Sequence, residues 1–153
     1  MGVDVVMDET LTQKNIRTRL AQPSDYERII SVMPSWWNGR NLTALLPELF
    51  LLHFYDTSFI VEQGGELIGF LVGFMSQSRQ DEAYIHFIGI HPDFRQQAIG
   101  AALYERFFEI CRRRGRSIVR AQTSPVNTGS VKFHAKMGFQ VEYKDKVKFT
   151  KYL

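Results

Sequence analysis

Residues 84–100 read YIHFIGIHPDFRQQAIG, and the reading of this stretch decides the fold. Tyr84 to Ile90 has the β-branched and aromatic side chains that suit a pleated strand. A turn follows at His91-Pro92-Asp93. From Ile99 onward, Ile99, Leu103, Phe107 and Ile110 recur at helical spacing up to about Arg113. A strand therefore passes through a short turn into the head of an amphipathic helix. The amides of Gln97, Ala98, Ile99, Gly100 and Ala101 fall in that loop and first turn, where backbone N–H groups lack intrahelical partners. With the helix dipole behind them, they form a cradle suited to a phosphate. Gly100 permits close approach to the backbone, and Arg95 brings a cation to the rim. Taken by itself, the same order also describes an ordinary strand-to-helix connection.

The flanking sequence extends the pattern in both directions. Ile16 to Ala21 alternates like a half-buried strand. Pro23-Ser24-Asp25 starts a helix carrying Tyr26, Ile29, Ile30 and Met33 on its apolar face, and Pro34 is expected to stop it. Trp36 to Tyr55 reads as a second helical stretch flanked by loops. Ser58 to Glu62 and Leu67 to Met75, joined by Gly64-Gly65, read as a hairpin. Downstream, Ile118 to Thr123 is a strand reached by a helical crossover and so is parallel to Tyr84–Ile90. Asn127 to Met137 is a short helix ending at Gly138. A closing hairpin, Phe139–Tyr143 and Val147–Tyr152, turns at Lys144-Asp145-Lys146. The expected fold class is α/β (α+β), with a single mixed, mostly antiparallel sheet flanked by helices. It is one domain over residues 16–153, preceded by a flexible lead-in at residues 1–15.

Composition narrows the function. With 44% hydrophobic and 23% charged residues in 153, the chain has the makings of a packed core. No apolar run reaches the ~20 residues of a membrane span. The acidic start MGVDVVMDETLTQKN has no secretory-signal layout. Cys111 has no partner for an internal disulfide and no companion metal ligand, so a cytoplasmic setting and no metal are expected. The run Arg112-Arg113-Arg114-Gly115-Arg116 closes the long helix, complementing its dipole, with Gly115 as C-cap. It lacks the interleaved aromatics of a nucleic-acid reader, so neither nucleic acid nor membrane is expected as a partner.

Two motifs then point to a family. Arg95-Gln96-Gln97-Ala98-Ile99-Gly100 resembles the acetyl-CoA-binding motif of the GNAT N-acetyltransferases, Arg/Gln-x-x-Gly-x-Gly/Ala. The surrounding HPDFRQQ, after a strand carrying His86, is similar to the serotonin N-acetyltransferase branch of that family. Asn127-x-x-Ser130-x-x-Phe133-His134-x-x-x-Gly138-Phe139 resembles the second motif, Asn-x-x-Ala-x-x-Phe-Tyr-x-x-x-Gly-Phe. Two motifs in order, separated by a helix and a strand, are far more specific than either alone. There are two departures: Ala98 stands at the first motif glycine, where a helix-start conformation is expected, and His134 stands where tyrosine is common.

The resemblance implies a GNAT-like acyl-CoA N-acyltransferase fold and direct transfer of an acetyl group from acetyl-CoA to a primary amine, on a small molecule or a peptide. It assigns the pantetheine arm to the backbone of Ile88 and Ile90, with the Ile88 N–H as an oxyanion donor. It assigns the pyrophosphate to Arg95 through Ala101, and further cofactor contacts to Asn127, Ser130, Phe133 and Lys136. Lys132 and Lys136 are either contacts for the nucleotide 3′-phosphate or, as is commoner, solvated surface lysines. Period-two geometry puts Tyr84, His86, Ile88 and Ile90 on one strand face. There His86 is either a general base for the attacking ammonium or a histidine hydrogen-bonded for structural reasons. His134 is a candidate acid for the departing thiolate, or else a hydrogen-bond partner of the sulfur or a solvent-facing residue of the short helix. Asn127 is equally a helix N-cap. The acceptor is expected between Trp36–Tyr55 and the C-terminal hairpin, with at least one of Trp36 and Trp37 on its wall unless, as is the favoured reading for either alone, they pack between lid and core, and a homodimer is left open. The alternative is a catalytically weak acyl-CoA sensor or regulatory module of the same fold.

Overall fold

The structure is a computed structural model in which residues 15–153 are described. The expected lead-in, apart from Asn15, lies outside the described residues.

Seven strands form one sheet: β1 (Ile16–Leu20), β2 (Phe59–Gln63), β3 (Glu66–Met75), β4 (Glu82–Ile90), β5 (Ile118–Thr123), β6 (Gln140–Tyr143) and β7 (Val147–Tyr152). Their order is β1-β2-β3-β4-β5-β7-β6. β1 to β4 form an antiparallel run, β5 lies parallel to β4, and β7 inserts between β5 and β6. β2 and β3 are joined at Gly64 and Gly65, whose φ values of +56° and +81° suit the two-residue hairpin turn that glycine makes without steric cost.

Four α-helices pack on this sheet: α1 (Asp25–Trp36), α2 (Leu49–His53), α3 (Ile99–Arg113) and α4 (Thr128–Lys136). β3 is buried along most of its length because both of its faces are covered. On one face α3 brings Leu103, Phe107 and Phe108 against Ile68, Leu71, Ile85 and Phe149. On the other, α1 and α2 bring Ile29, Met33, Trp36 and Leu51 against Ile60, Phe70 and Val72. Each such side chain contributes about 1.5–3 kcal/mol when fully buried.

Two local expectations change. Pro34 does not stop α1, which continues to Trp36. A proline disturbs the turn before it, through its missing N–H and its ring against the carbonyl four residues back, and leaves the residues after it able to continue the helix. The helix ends instead at Asn38 and Gly39, with φ of +53° and +83°, and the Gly39 N–H donates to the Pro34 carbonyl at 2.6 Å. The Trp36–Tyr55 stretch is not one helix. Beyond Trp36 it holds the single 3₁₀ turn Thr43–Leu45, the five-residue α2 and the start of a second 3₁₀ turn, Tyr55–Thr57. Pro47, which has no N–H to donate, separates the first two.

Candidate functional site

β4 and β5 part company early. They pair only over Glu82–Tyr84 with Ile118–Arg120. Beyond Tyr84, the β5-facing edge of β4 has no strand beside it, and a wedge opens between the two strands toward Ile90. The head of α3 and Phe133 of α4 meet at this wedge. A Cβ at Gly100 would lie 3.6 Å from the Phe133 ring and 3.8 Å from Ile88 Cδ1. One residue of the cradle, one of the strand and one of the second motif therefore converge on a single point.

The cradle differs from the sequence expectation in three details. The Gln97 N–H donates to the Phe94 carbonyl at 3.2 Å and is not available to a ligand. The first bond of α3 runs from the Ala102 N–H to the Ala98 carbonyl at 3.1 Å, so Ile99, Gly100 and Ala101 present the unpaired amides at its head. Ala98 is in the left-handed region, at φ +58° and ψ +23°, and not in a helix-start conformation. That is the geometry glycine adopts freely, and a Cβ there costs about 1–2 kcal/mol. Arg95 is pinned, its Nε–H donating to the Ile90 carbonyl at 3.1 Å and its Nη2–H to the Trp36 carbonyl at 2.6 Å. It ties the end of β4 to the end of α1. Gln96 is exposed.

A β-bulge in β4 redistributes the strand's side chains. Val72 pairs with Phe87 and Gly73 with Ile85, which leaves His86 as the extra residue. The shared face expected for Tyr84, His86, Ile88 and Ile90 is therefore divided. Tyr84 stacks on Phe74 and His86 on Phe50, on the α1/α2 side. Phe87 joins them there, edge-on to Trp37 at 5.4 Å. Ile88 and Ile90 pack with the α3 core. The bulge thus puts His86 on one side of the sheet and the cradle on the other, with the Ile88 amide at the boundary.

His86 is held on two sides. Its ring lies parallel to Phe50 at 4.1 Å, and its Nε2–H donates to the Leu45 carbonyl at 2.6 Å. Trp36 is buried and Trp37 half-buried, both within the α1-side core. In α4, Asn127 is an N-cap, its Oδ1 accepting the Ser130 N–H at 3.2 Å. Phe133 is half-buried, and Lys132 and Lys136 are exposed.

His134 is 4% exposed, stacked on Phe149 at 3.9 Å. Its Nδ1–H donates to the Ser130 carbonyl at 2.8 Å, with Ser130 Oγ at 3.3 Å. Nε2 then accepts from the Tyr104 hydroxyl at 2.7 Å. Burial lowers its pKa to about 4, only partly opposed by the Ser130 carbonyl, and burial also raises that of Tyr104. Sequence reasoning missed Tyr104. Its signal was a phenol on the apolar stripe of α3, where a buried hydroxyl requires a partner.

Also unanticipated is an ion cluster that anchors the start of α1. The buried Asp25 carboxylate accepts from Arg19 at 2.8 Å and from the Gln22 N–H at 2.8 Å, while Arg19 and Arg28 both reach Glu62. Among the described residues there is no cluster of potential metal ligands, and no helix is long and apolar enough to cross a membrane.

Relatives agree with this architecture. Ard1 of Thermoplasma volcanium superposes with a TM-score of 0.73 at 21% identity, covering 91% of this chain and 98% of that one. The yncA protein of Salmonella typhimurium, solved with its cofactor acetyl-CoA, gives 0.68 at 17% identity, covering 91% and 94%. These likenesses concern the fold. An uncharacterized N-acetyltransferase of Methanocaldococcus jannaschii is 35% identical over 89 residues, 56% of this chain and 39% of that protein. This chain therefore matches well under half the length of that relative. The Acetyltransferase (GNAT) family profile matches residues 24–139, from the first turn of α1 through both motifs. The chain belongs to the Acetyltransferase (GNAT) family.

Proposed function

We propose that the chain is an acetyl-CoA-dependent N-acetyltransferase that moves an acetyl group directly to a primary amine on a small molecule or peptide. The observation that carries this reading is the wedge between β4 and β5, where Gly100, Ile88 and Phe133 converge beside three unpaired helix-head amides. The donor set fits the cofactor. Three amides and a helix dipole suit a pyrophosphate, a glycine leaves room for it, and an unpaired strand edge suits an extended amide-bearing arm.

Acetyl-CoA supplies an activated thioester. The chain's residues supply alignment, a donor for the carbonyl oxygen and a route for the amine proton. The Ile88 N–H, at the end of the bulge, is assigned the oxyanion role. His86 is assigned the base. With Nε2–H committed to Leu45, its Nδ1 is the nitrogen that takes the proton as the amine nitrogen bonds to the acetyl carbon and the carbon–sulfur bond breaks. His134 is not assigned as acid. A buried neutral imidazole with both nitrogens occupied has no proton to give a thiolate in the wedge.

The lack of an acid at position 134 is also what favours the second reading, a weakly active acyl-CoA sensor. Incubation with acetyl-CoA and a panel of amines, amino acids and peptide N-termini, with detection of released thiol, separates the two. Amine-dependent thiol release supports the enzyme. Tight coenzyme A binding with no release from any amine supports the sensor.

A further inference from the structure

We propose that Tyr104 and His134 form a buried clasp that fixes α4 against α3 and so sets the width of the cofactor wedge, making both of them positioning residues for acetyl-CoA. This rests on the reading that the cofactor occupies that wedge.

The clasp joins the two helices that meet at the wedge. Tyr104 lies one turn beyond Gly100, on the helix whose head carries the free amides. His134 lies one turn beyond Ser130, on the helix that carries Phe133. Their bond, 2.7 Å long, continues through His134 Nδ1–H to the Ser130 carbonyl. The chain runs from phenol to imidazole to backbone, and it engages both nitrogens of the His134 ring.

Aromatic rings pack against both side chains of the clasp. The Tyr104 ring meets Phe133 edge-on at 5.0 Å and Phe139 at 5.9 Å, while His134 lies flat on Phe149. Tyr104 is 1% exposed, so its hydroxyl has no access to a ligand in the wedge. Passing a proton outward through His134 would leave a phenolate in an apolar core, which burial opposes. The chain is therefore a lock and not a proton wire. Phe133 connects it to function, since its ring bears on Tyr104 on one side and on the space above Gly100 on the other. Releasing the clasp lets α4 and Phe133 drift from Gly100 and loosens the wedge.

Tyr104→Phe keeps the ring and removes the hydroxyl. The expected result is a rise of roughly three- to tenfold in acetyl-CoA KM and in calorimetric Kd for coenzyme A, the size of one lost hydrogen bond. kcat and the acceptor KM are expected to stay within about twofold. The double variant Tyr104→Phe/His134→Phe lacks the same bond and keeps the stack on Phe149, so its affinity should match that of Tyr104→Phe within about twofold, the two losses not adding. Unchanged coenzyme A affinity in Tyr104→Phe overturns the clasp. So does a fall in kcat at constant KM that grows with pH, which would return a proton-transfer role to His134. A wild-type measurement stands independently of the variants: ring ¹⁵N–¹H spectra at pH 7 should show His134 protonated at Nδ1 and bare at Nε2, and an imidazolium or the opposite tautomer also overturns the proposal. Gly100→Leu tests the underlying reading. If it leaves coenzyme A affinity intact, the cofactor lies outside the wedge whatever Tyr104→Phe does.

Discussion

The His86 ring is oriented by the Leu45 carbonyl, 2.6 Å from its Nε2, which leaves Nδ1 as the basic nitrogen. Leu45 belongs to the 3₁₀ turn between α1 and α2, so the same bond holds that turn against the bulge in β4. The two consequences, a defined tautomer and a docked turn, can be measured separately.

As a base, His86 matters most when the acceptor arrives as an ammonium ion. His86→Ala is expected to lower kcat/KM by about a hundredfold at low pH, with the gap narrowing as pH rises and the free amine becomes abundant. The pH–rate profile checks this, and a variant profile parallel to wild type removes His86 from proton transfer. As an anchor for the turn, its loss should also raise the acceptor KM without changing coenzyme A affinity.

Ala98 bears a Cβ in a left-handed conformation at the lip of the cradle. Ala98→Gly relieves about 1–2 kcal/mol of strain and loses about 0.5–1 kcal/mol to the greater freedom of the unfolded chain. A net gain of roughly 0.5 kcal/mol in urea unfolding is expected. Ala98→Val, β-branched at the same φ, should be clearly less stable than wild type. Equal stability of all three would show that this backbone is not strained.

His134 makes stability depend on pH in a defined window. Its native pKa is about 4 against an ordinary 6.5. Between these values the unfolded chain binds a proton that the native state does not, so stability falls as pH drops from 6.5 toward 4. At full slope the loss is about 1.4 kcal/mol per pH unit. Below 4 both states are protonated and this residue adds nothing further. Denaturant unfolding at several pH values should show the slope in wild type and its reduction in His134→Phe.

Asp25 ties β1 and β2 to the start of α1. Burial raises its pKa, but hydrogen bonds from Arg19 and the Gln22 amide, with the charges of Arg19 and Arg28, outweigh this and hold it below the ordinary carboxylate value. Its contribution is therefore complete above the unfolded pKa and is lost as pH falls through the lower native one. Asp25→Asn removes the charge from between two arginines. Because both guanidinium groups are partly solvated, the expected loss is about 2 kcal/mol, below the range for a fully buried pair. Thermal unfolding checks it. The loss should shrink in Asp25→Asn/Arg19→Met, which leaves fewer charges unpaired.

Much of this fold could be read along the chain, because its signals are local. The stripe Ile99–Leu103–Phe107 places α3 with its observed bounds, Gly64-Gly65 places the β2–β3 turn, and the crossover through α3 makes β5 parallel to β4. Family membership was legible for the same reason, since both motifs are short runs at fixed spacing. The side-chain directions in β4 were not legible. A bulge forms when two strands settle their register, and nothing in Tyr84–Ile90 alone shows that His86 is the residue left over. The fate of His134 was likewise hidden. At a motif position it invites a catalytic role, but its surroundings are Tyr104, Phe149 and Ser130, and the first two reach it only through folding. The sequence by itself determined the strands, the long helix α3 and the place of the cradle, through periodicity, turn chemistry and helix ends, but not the breaks within Trp36–Tyr55 or the left-handed Ala98. Only the tertiary structure decided which polar groups are buried and what they bond, because burial and partnership depend on residues distant in the chain.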